Sequence, residues 1–225
     1  MKLRQRYALL TVDTEALPKR AMRDHVNRLI WGRHDNGTAG IREICSIGDD
    51  FGVKHVFFVD MCGAYFYPDQ MREVVRWLKE EEQDVQLHMH PEVLPRAFWT
   101  DNGVEFRPEY LNDYSQDDWA EFVIGHFGKQ LSQVTGRDVL AYRAGSFRWN
   151  ACTIRALKAS KIPLSFNTSM RAYGSGRCVF SAPVSFPYLR SNGVIEVPVT
   201  ERRFHKSGEG EFWAGLTFPE SSRFR

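Results

Sequence analysis

Four short apolar runs constrain this chain most, because stretches with helical spacing separate them. Residues 7–12 (YALLTV), 53–59 (VKHVFFV), 85–90 (VQLHMH) and 139–142 (VLAY) read as strands. Between them, residues 20–31 carry Met22, Val26, Leu29 and Ile30 at near-helical spacing, and 40–50 carry Ile41, Ile44 and Ile47. Pro68 opens a helix that runs through Glu82. Ser115-Gln116-Asp117-Asp118 resembles a helix start, with Gly136 as the stop after Thr135, and Asn150 caps a helix over 151–160. Alternation of this kind predicts an α/β fold, a parallel sheet or barrel with helices outside. In such folds the chemistry gathers at the carboxyl ends of the strands. Residues 163–166 and 194–197 read as further short strands, 91–114 as a long loop and 170–193 as a stretch with no clear period. There is no internal repeat, and residues 1–225 are expected to form a single domain.

Composition closes several alternatives. Thirty basic residues against 28 acidic ones leave the chain near neutrality. The charge runs at 79–82 and 201–203 are short, so no basic stripe suits a phosphate backbone and no nucleic-acid partner is expected. Cys45, Cys62, Cys152 and Cys178 form no CxxC pair, which argues for reduced, partly buried thiols. No stretch approaches the roughly 20 apolar residues of a membrane span. The basic start resembles a signal peptide, but Asp13 interrupts its short apolar run, so a cytoplasmic location is the expectation.

Two strand ends carry matching pairs. The first ends Thr11-Val12-Asp13-Thr14-Glu15 and the third ends Gln86-Leu87-His88-Met89-His90-Pro91. In an extended chain residues i and i+2 share a face, with Cβ atoms about 7 Å apart. Asp13 and Glu15 therefore point one way, and so do His88 and His90. Alone, such pairs are often caps or structural histidines. At two strand ends together, two imidazoles, a carboxylate and open water positions suit a catalytic divalent ion such as Zn²⁺. A third piece is Tyr142-Arg143-Ala144-Gly145-Ser146-Phe147. An Arg leaving an apolar strand needs a carboxylate, with Asp13 the natural partner and Asp138 or Glu92 the structural alternatives.

With these motifs in this order, the chain resembles the polysaccharide deacetylase (NodB-homology) superfamily, carbohydrate esterase family four, over about residues 7–200. The resemblance implies a distorted (β/α) barrel, here expected to lack its last β/α unit. LTVDTE is similar to the motif that makes Asp13 the catalytic base and Glu15 a metal ligand. LHMHPE keeps a His-Pro pair at compressed spacing, which assigns His88 and His90 to the metal and leaves Glu92 a reserve ligand. YRAGSF places Arg143 as the residue that orients the base. Asn167, in Phe166-Asn167-Thr168-Ser169, stands where the family has an Asp. The family's Leu-x-His motif has no match, and His205 is the candidate general acid.

The resemblance thus implies a metal-dependent hydrolase that removes an N-acyl group, expected to be acetyl, from an amino sugar of a surface polysaccharide or its precursor. Lipopolysaccharide biosynthesis is one such setting. A backbone N–H of the 144–146 turn is the candidate oxyanion donor. Tyr142, Ser146, Glu92 and Trp99 are candidates for contacting substrate, and the aromatics Phe98, Trp99, Tyr110 and Tyr114 suit either sugar stacking or packing. Ser146 lacks the nucleophile-elbow pattern. Two alternatives stand beside this reading: a non-catalytic carbohydrate-binding relative, and a metal-dependent amidase acting on a non-sugar amide.

Overall fold

The computed structural model describes residues 8–104, 110–180, 184, 186–206 and 210–215, with backbone alone at 202, 204–206 and 210–215. The chain forms two compact units, Met1–Met89 with Lys129–Val139, and His90–Gly128 with Leu140–Arg225. A mostly parallel seven-stranded sheet gives three strands to the first unit and four to the second.

In the first unit, β1 (Thr11–Thr14) starts later than the sequence indicates, so Asp13 lies inside the strand rather than after it. Helix α1 (His25–Leu29) is shorter than the 20–31 expected, because Asp24 before it and Gly32 after it take positive φ angles of 52° and 62°. The turn residues Asp35 and Asn36 join a small antiparallel hairpin, β2 (Arg33–His34) and β3 (Gly37–Thr38). Helix α2 (Ile41–Asp50) is held at its start by Glu43, whose carboxylate accepts the Gly40 N–H at 2.7 Å. Its buried face is Ile41, Cys45 and Gly48, and Ile47 is exposed. The expected Ile41-Ile44-Ile47 stripe fails because steps of three drift by about 120° over six residues, whereas steps of four then three stay on one face.

Strand β4 (Val56–Asp60) is buried from Phe57 onward, as a strand covered on both faces should be. After α3 (Gly63–Phe66) comes α4 (Pro68–Glu80), with Pro68 in its first turn. Met71, Val74, Val75 and Leu78 form its buried stripe at i, i+3, i+4, i+7, each worth roughly 1.5–3 kcal/mol of burial. Strand β5 (Asp84–Met89) follows. β4 lies parallel between β1 and β5, with Asp13 opposite Phe58 and Asp60 opposite His88.

The second unit departs most from expectation between 91 and 114. Residues Arg96–Asp101 form α5, flanked by 3₁₀ turns at Pro91–Val93 and Leu111–Asp113. Proline and turn chemistry mask this helix in sequence. Phe98 and Trp99 anchor it among Tyr114, Phe122 and Phe127. Helix α6 (Asp117–Thr135) ends at Gly136, whose φ of 69° stops it as expected. β6 (Ala141–Ala144) is buried throughout. α7 (Ala151–Ala159) is capped by the Asn150 side chain, which accepts the Cys152 and Thr153 N–H groups at 2.9 and 3.3 Å. β7 (Leu164–Ser165) runs parallel to β6.

Residues 170–193 hold two elements too short to show a period: α8 (Met170–Gly174), capped by Ser169, and β8 (Tyr188–Leu189). β9 (Ile195–Glu196) pairs parallel with β7 and antiparallel with β8. An antiparallel hairpin, β10 (Glu201–Lys206) with β11 (Gly210–Gly215), follows. The four cysteines are free and buried, and burial pushes the Cys45 thiol up to about 11. No helix among the described residues is long and apolar enough to cross a membrane.

Candidate metal centre

Parallel pairing with buried faces fixes which way the strand-end side chains point. On β1, Asp13 is exposed, Thr14 is buried, and Glu15 just beyond is half-buried. On β5, His88 is 1% exposed, and His90, the residue after the strand, is 2% exposed. Glu15 Oε1 lies 3.0 Å from His88 Nε2, and its other oxygen meets Arg20 at 3.2 Å. One ligand atom from each of Glu15, His88 and His90 lies within 4.8 Å of the other two. This cluster brings together the three residues that the motifs assigned to metal.

The donor set fits a divalent ion. Two imidazoles and one carboxylate match a three-ligand catalytic site that keeps positions open for water or substrate. The carboxylate behind one of these ligands fits as well. His90 Nδ1 is 2.7 Å from Glu92 Oε1, so Nε2 is the nitrogen that could face an ion. Glu92, the sequence's reserve ligand and substrate contact, is placed behind His90. Gly145 packs against the His90 ring so closely that a Cβ there would sit 2.5 Å from it. That contact explains a glycine in RAGSF.

Arg143 is buried at the end of β6, and its guanidinium carbon lies 5.8 Å from the ring centroids of both Phe147 and Phe166. The turn after it is tight, with Ser146 and Phe147 at positive φ of 53° and 55°. Ala144 N–H donates to Asn167 Oδ1 at 2.6 Å, so this N–H is withdrawn from the set of oxyanion donors. Asn167, in place of the family's Asp, is thereby a backbone clamp on the turn. Tyr142 is 0% exposed and Trp99 is 5% exposed. Ser146 is half-buried. Phe98 and Tyr114 are buried with Trp99, and Tyr110 lies under Arg148, 3.9 Å from its guanidinium. His205 sits in β10 opposite Glu211, and its side chain lies outside the described residues.

Two acidic residues were missed in sequence. Asp60 closes β4, fully buried, and its Oδ1 accepts the Cys62 N–H at 3.1 Å. The signal was present: VFFVD, like LTVD, is an apolar run that ends in aspartate. Glu196, fully buried on β9, accepts Ser165 Oγ at 2.6 Å, the N–H groups of Asn167 and Thr168 at 2.8 and 2.6 Å, and Arg190 at 2.7 Å. It holds the backbone around Asn167, and nothing in the sequence pattern marks it.

No family model and no curated protein matches this sequence. Solved structures do. A protein assigned as a polysaccharide deacetylase from Mycobacterium smegmatis superposes with TM-score 0.57 at 16% identity, over 85% of this chain and 58% of that one. An allantoinase structure gives TM-score 0.48 at 16% identity, over 72% and 44%. A mutant of a CE4 family pseudoenzyme with restored enzymatic activity gives 0.45 at 12%, over 70% and 43%. This chain thus spans less than two thirds of the length of the deacetylase structure. The chain carries the α/β fold of the polysaccharide deacetylases, the family that its strand-end motifs resemble.

Proposed function

We propose that the chain is a metal-dependent hydrolase that removes an N-acyl group from an amino sugar. The observation that carries this reading is the convergence of Glu15, His88 and His90 within 4.8 Å. Glu15 Oε1 and the Nε2 atoms of His88 and His90 are the atoms that would hold the ion. A divalent ion in such a set supplies Lewis acidity and a more acidic water. Asp13, exposed on β1, takes a proton on its carboxylate as general base. Arg143 is its orienting cation, a role assigned by the motif resemblance. Within the turn after β6, the oxyanion donors narrow to the N–H groups of Gly145 and Ser146. His205 is retained as the candidate acid for the leaving amine. Zn²⁺ is the proposed ion, and the substrate class is an N-acetylated hexosamine unit of a surface polysaccharide or its precursor.

The test measures metal content after purification, then acetate release from N-acetylhexosamine oligomers with and without chelator. Release that stops with chelator and returns with Zn²⁺ is expected. Asp13→Asn keeps the metal and loses about 10²–10⁴ in rate, and His88→Ala loses the metal. Bound metal with no acyl release from any sugar amide would remove the hydrolase reading and leave a binding protein.

A further inference from the structure

Asp60 has no place in the proposed reaction, yet it is a fully buried carboxylate at the end of the strand between the two that carry Glu15 and His88. A buried carboxylate is tolerated where hydrogen bonds or charges compensate it. The Cys62 N–H supplies one such bond, to Oδ1.

The strand register brings His88 alongside. Asp60 is the β-pair partner of His88 on parallel strands. Register partners in a parallel sheet project to the same face from strands about 4.8 Å apart. The backbone reinforces this pairing, since Met61 N–H donates to the His88 carbonyl at 3.1 Å. On the other side, Thr14 pairs with Val59, so Glu15 follows Thr14 as Asp60 follows Val59. Glu15 meets His88 at Nε2, so a group behind the ring would meet Nδ1. His90 already shows this arrangement, with Glu92 on its Nδ1.

We propose that Asp60 is a positioning residue that accepts the Nδ1–H of His88, fixing the tautomer and ring orientation that present Nε2 to a metal. The inference rests on the metal reading above, and each imidazole then has its own carboxylate behind it. Such outer carboxylates commonly contribute 10- to 100-fold in metal affinity.

Zn²⁺ affinity, read by competition with a chromophoric chelator, should weaken about 10- to 100-fold in Asp60→Asn. In ¹⁵N NMR of the Zn²⁺-loaded wild-type protein, His88 should carry its proton on Nδ1 and the metal on Nε2. That Nδ1–H should shift and exchange faster in the variant. Wild-type affinity together with an unchanged Nδ1–H signal in Asp60→Asn overturns the proposal, and so does a wild-type spectrum with the metal on Nδ1. If the variant fails to fold, the wild-type spectrum decides alone. A wild-type protein that takes up no Zn²⁺ sinks the hydrolase reading instead. The metal-free Nδ1–H resonance then still tests the pairing, with absence of a protected proton counting against it.

Discussion

Replacing Gly145 by alanine tests whether the pocket around His90 is as tight as its geometry requires. A Cβ at that position would lie 2.5 Å from Nδ1 of the ring and 2.6 Å from its Cγ and Cε1. Ordinary contact begins near 3.4 Å, so ring or backbone must move by about 1 Å. The ring is 2% exposed and held at Nδ1 by Glu92 at 2.7 Å, so moving it stretches that bond beyond hydrogen-bonding range. Overpacking of this kind costs about 1–3 kcal/mol. If the displacement falls on His90, the same energy appears in metal affinity, at tenfold per 1.4 kcal/mol, for a loss of roughly 5- to 150-fold. Gly145→Ala should therefore melt lower than wild type and bind Zn²⁺ more weakly by chelator competition. Gly174→Ala, with no atom within 4 Å of its added Cβ, is the control. Wild-type Zn²⁺ affinity and an unchanged melting temperature in Gly145→Ala would refute the account of RAGSF as the packing wall of His90.

Two further outcomes follow from the second unit. Glu196→Gln removes the charge from a carboxylate that is 0% exposed and leaves Arg190, 14% exposed, beside a neutral amide. The expected destabilisation is about 3–5 kcal/mol in chemical denaturation, and a loss under 1 kcal/mol would mean that the network relaxes around the amide. His126 packs on Phe98 and Phe127, and burial lowers its pKa from the ordinary 6.5. Below about pH 6.5 the unfolded chain therefore binds more protons than the folded one, so stability falls as pH drops through that window. His126→Phe should flatten this slope between pH 7.5 and 5.5, and equal slopes would exclude His126 as its source.

The elements legible in sequence were those whose own residues carry the cause. α4 declares itself through Pro68 and an i, i+3, i+4, i+7 stripe, α7 through Asn150, and the end of α6 through Gly136. α5 and α8 did not, because five or six residues hold less than two turns, and burial of Phe98, Trp99 and Ala172 rather than periodicity specifies them. The burial of Trp99 and Tyr142 was illegible for a related reason. An aromatic that stacks on sugar and one that fills a core look alike until burial is known.

By itself the sequence determined the chemistry available. It set two i, i+2 pairs at the ends of apolar runs, and with them which atoms can share one face, because the strand period is local. Tertiary structure decided which of those atoms meet. It drew Glu15 rather than Asp13 into the cluster with His88 and His90, put Glu92 behind His90, and set Asp60 level with His88. Register between strands that lie distant in sequence is a property of the packed sheet, and no residue spacing along the chain encodes it.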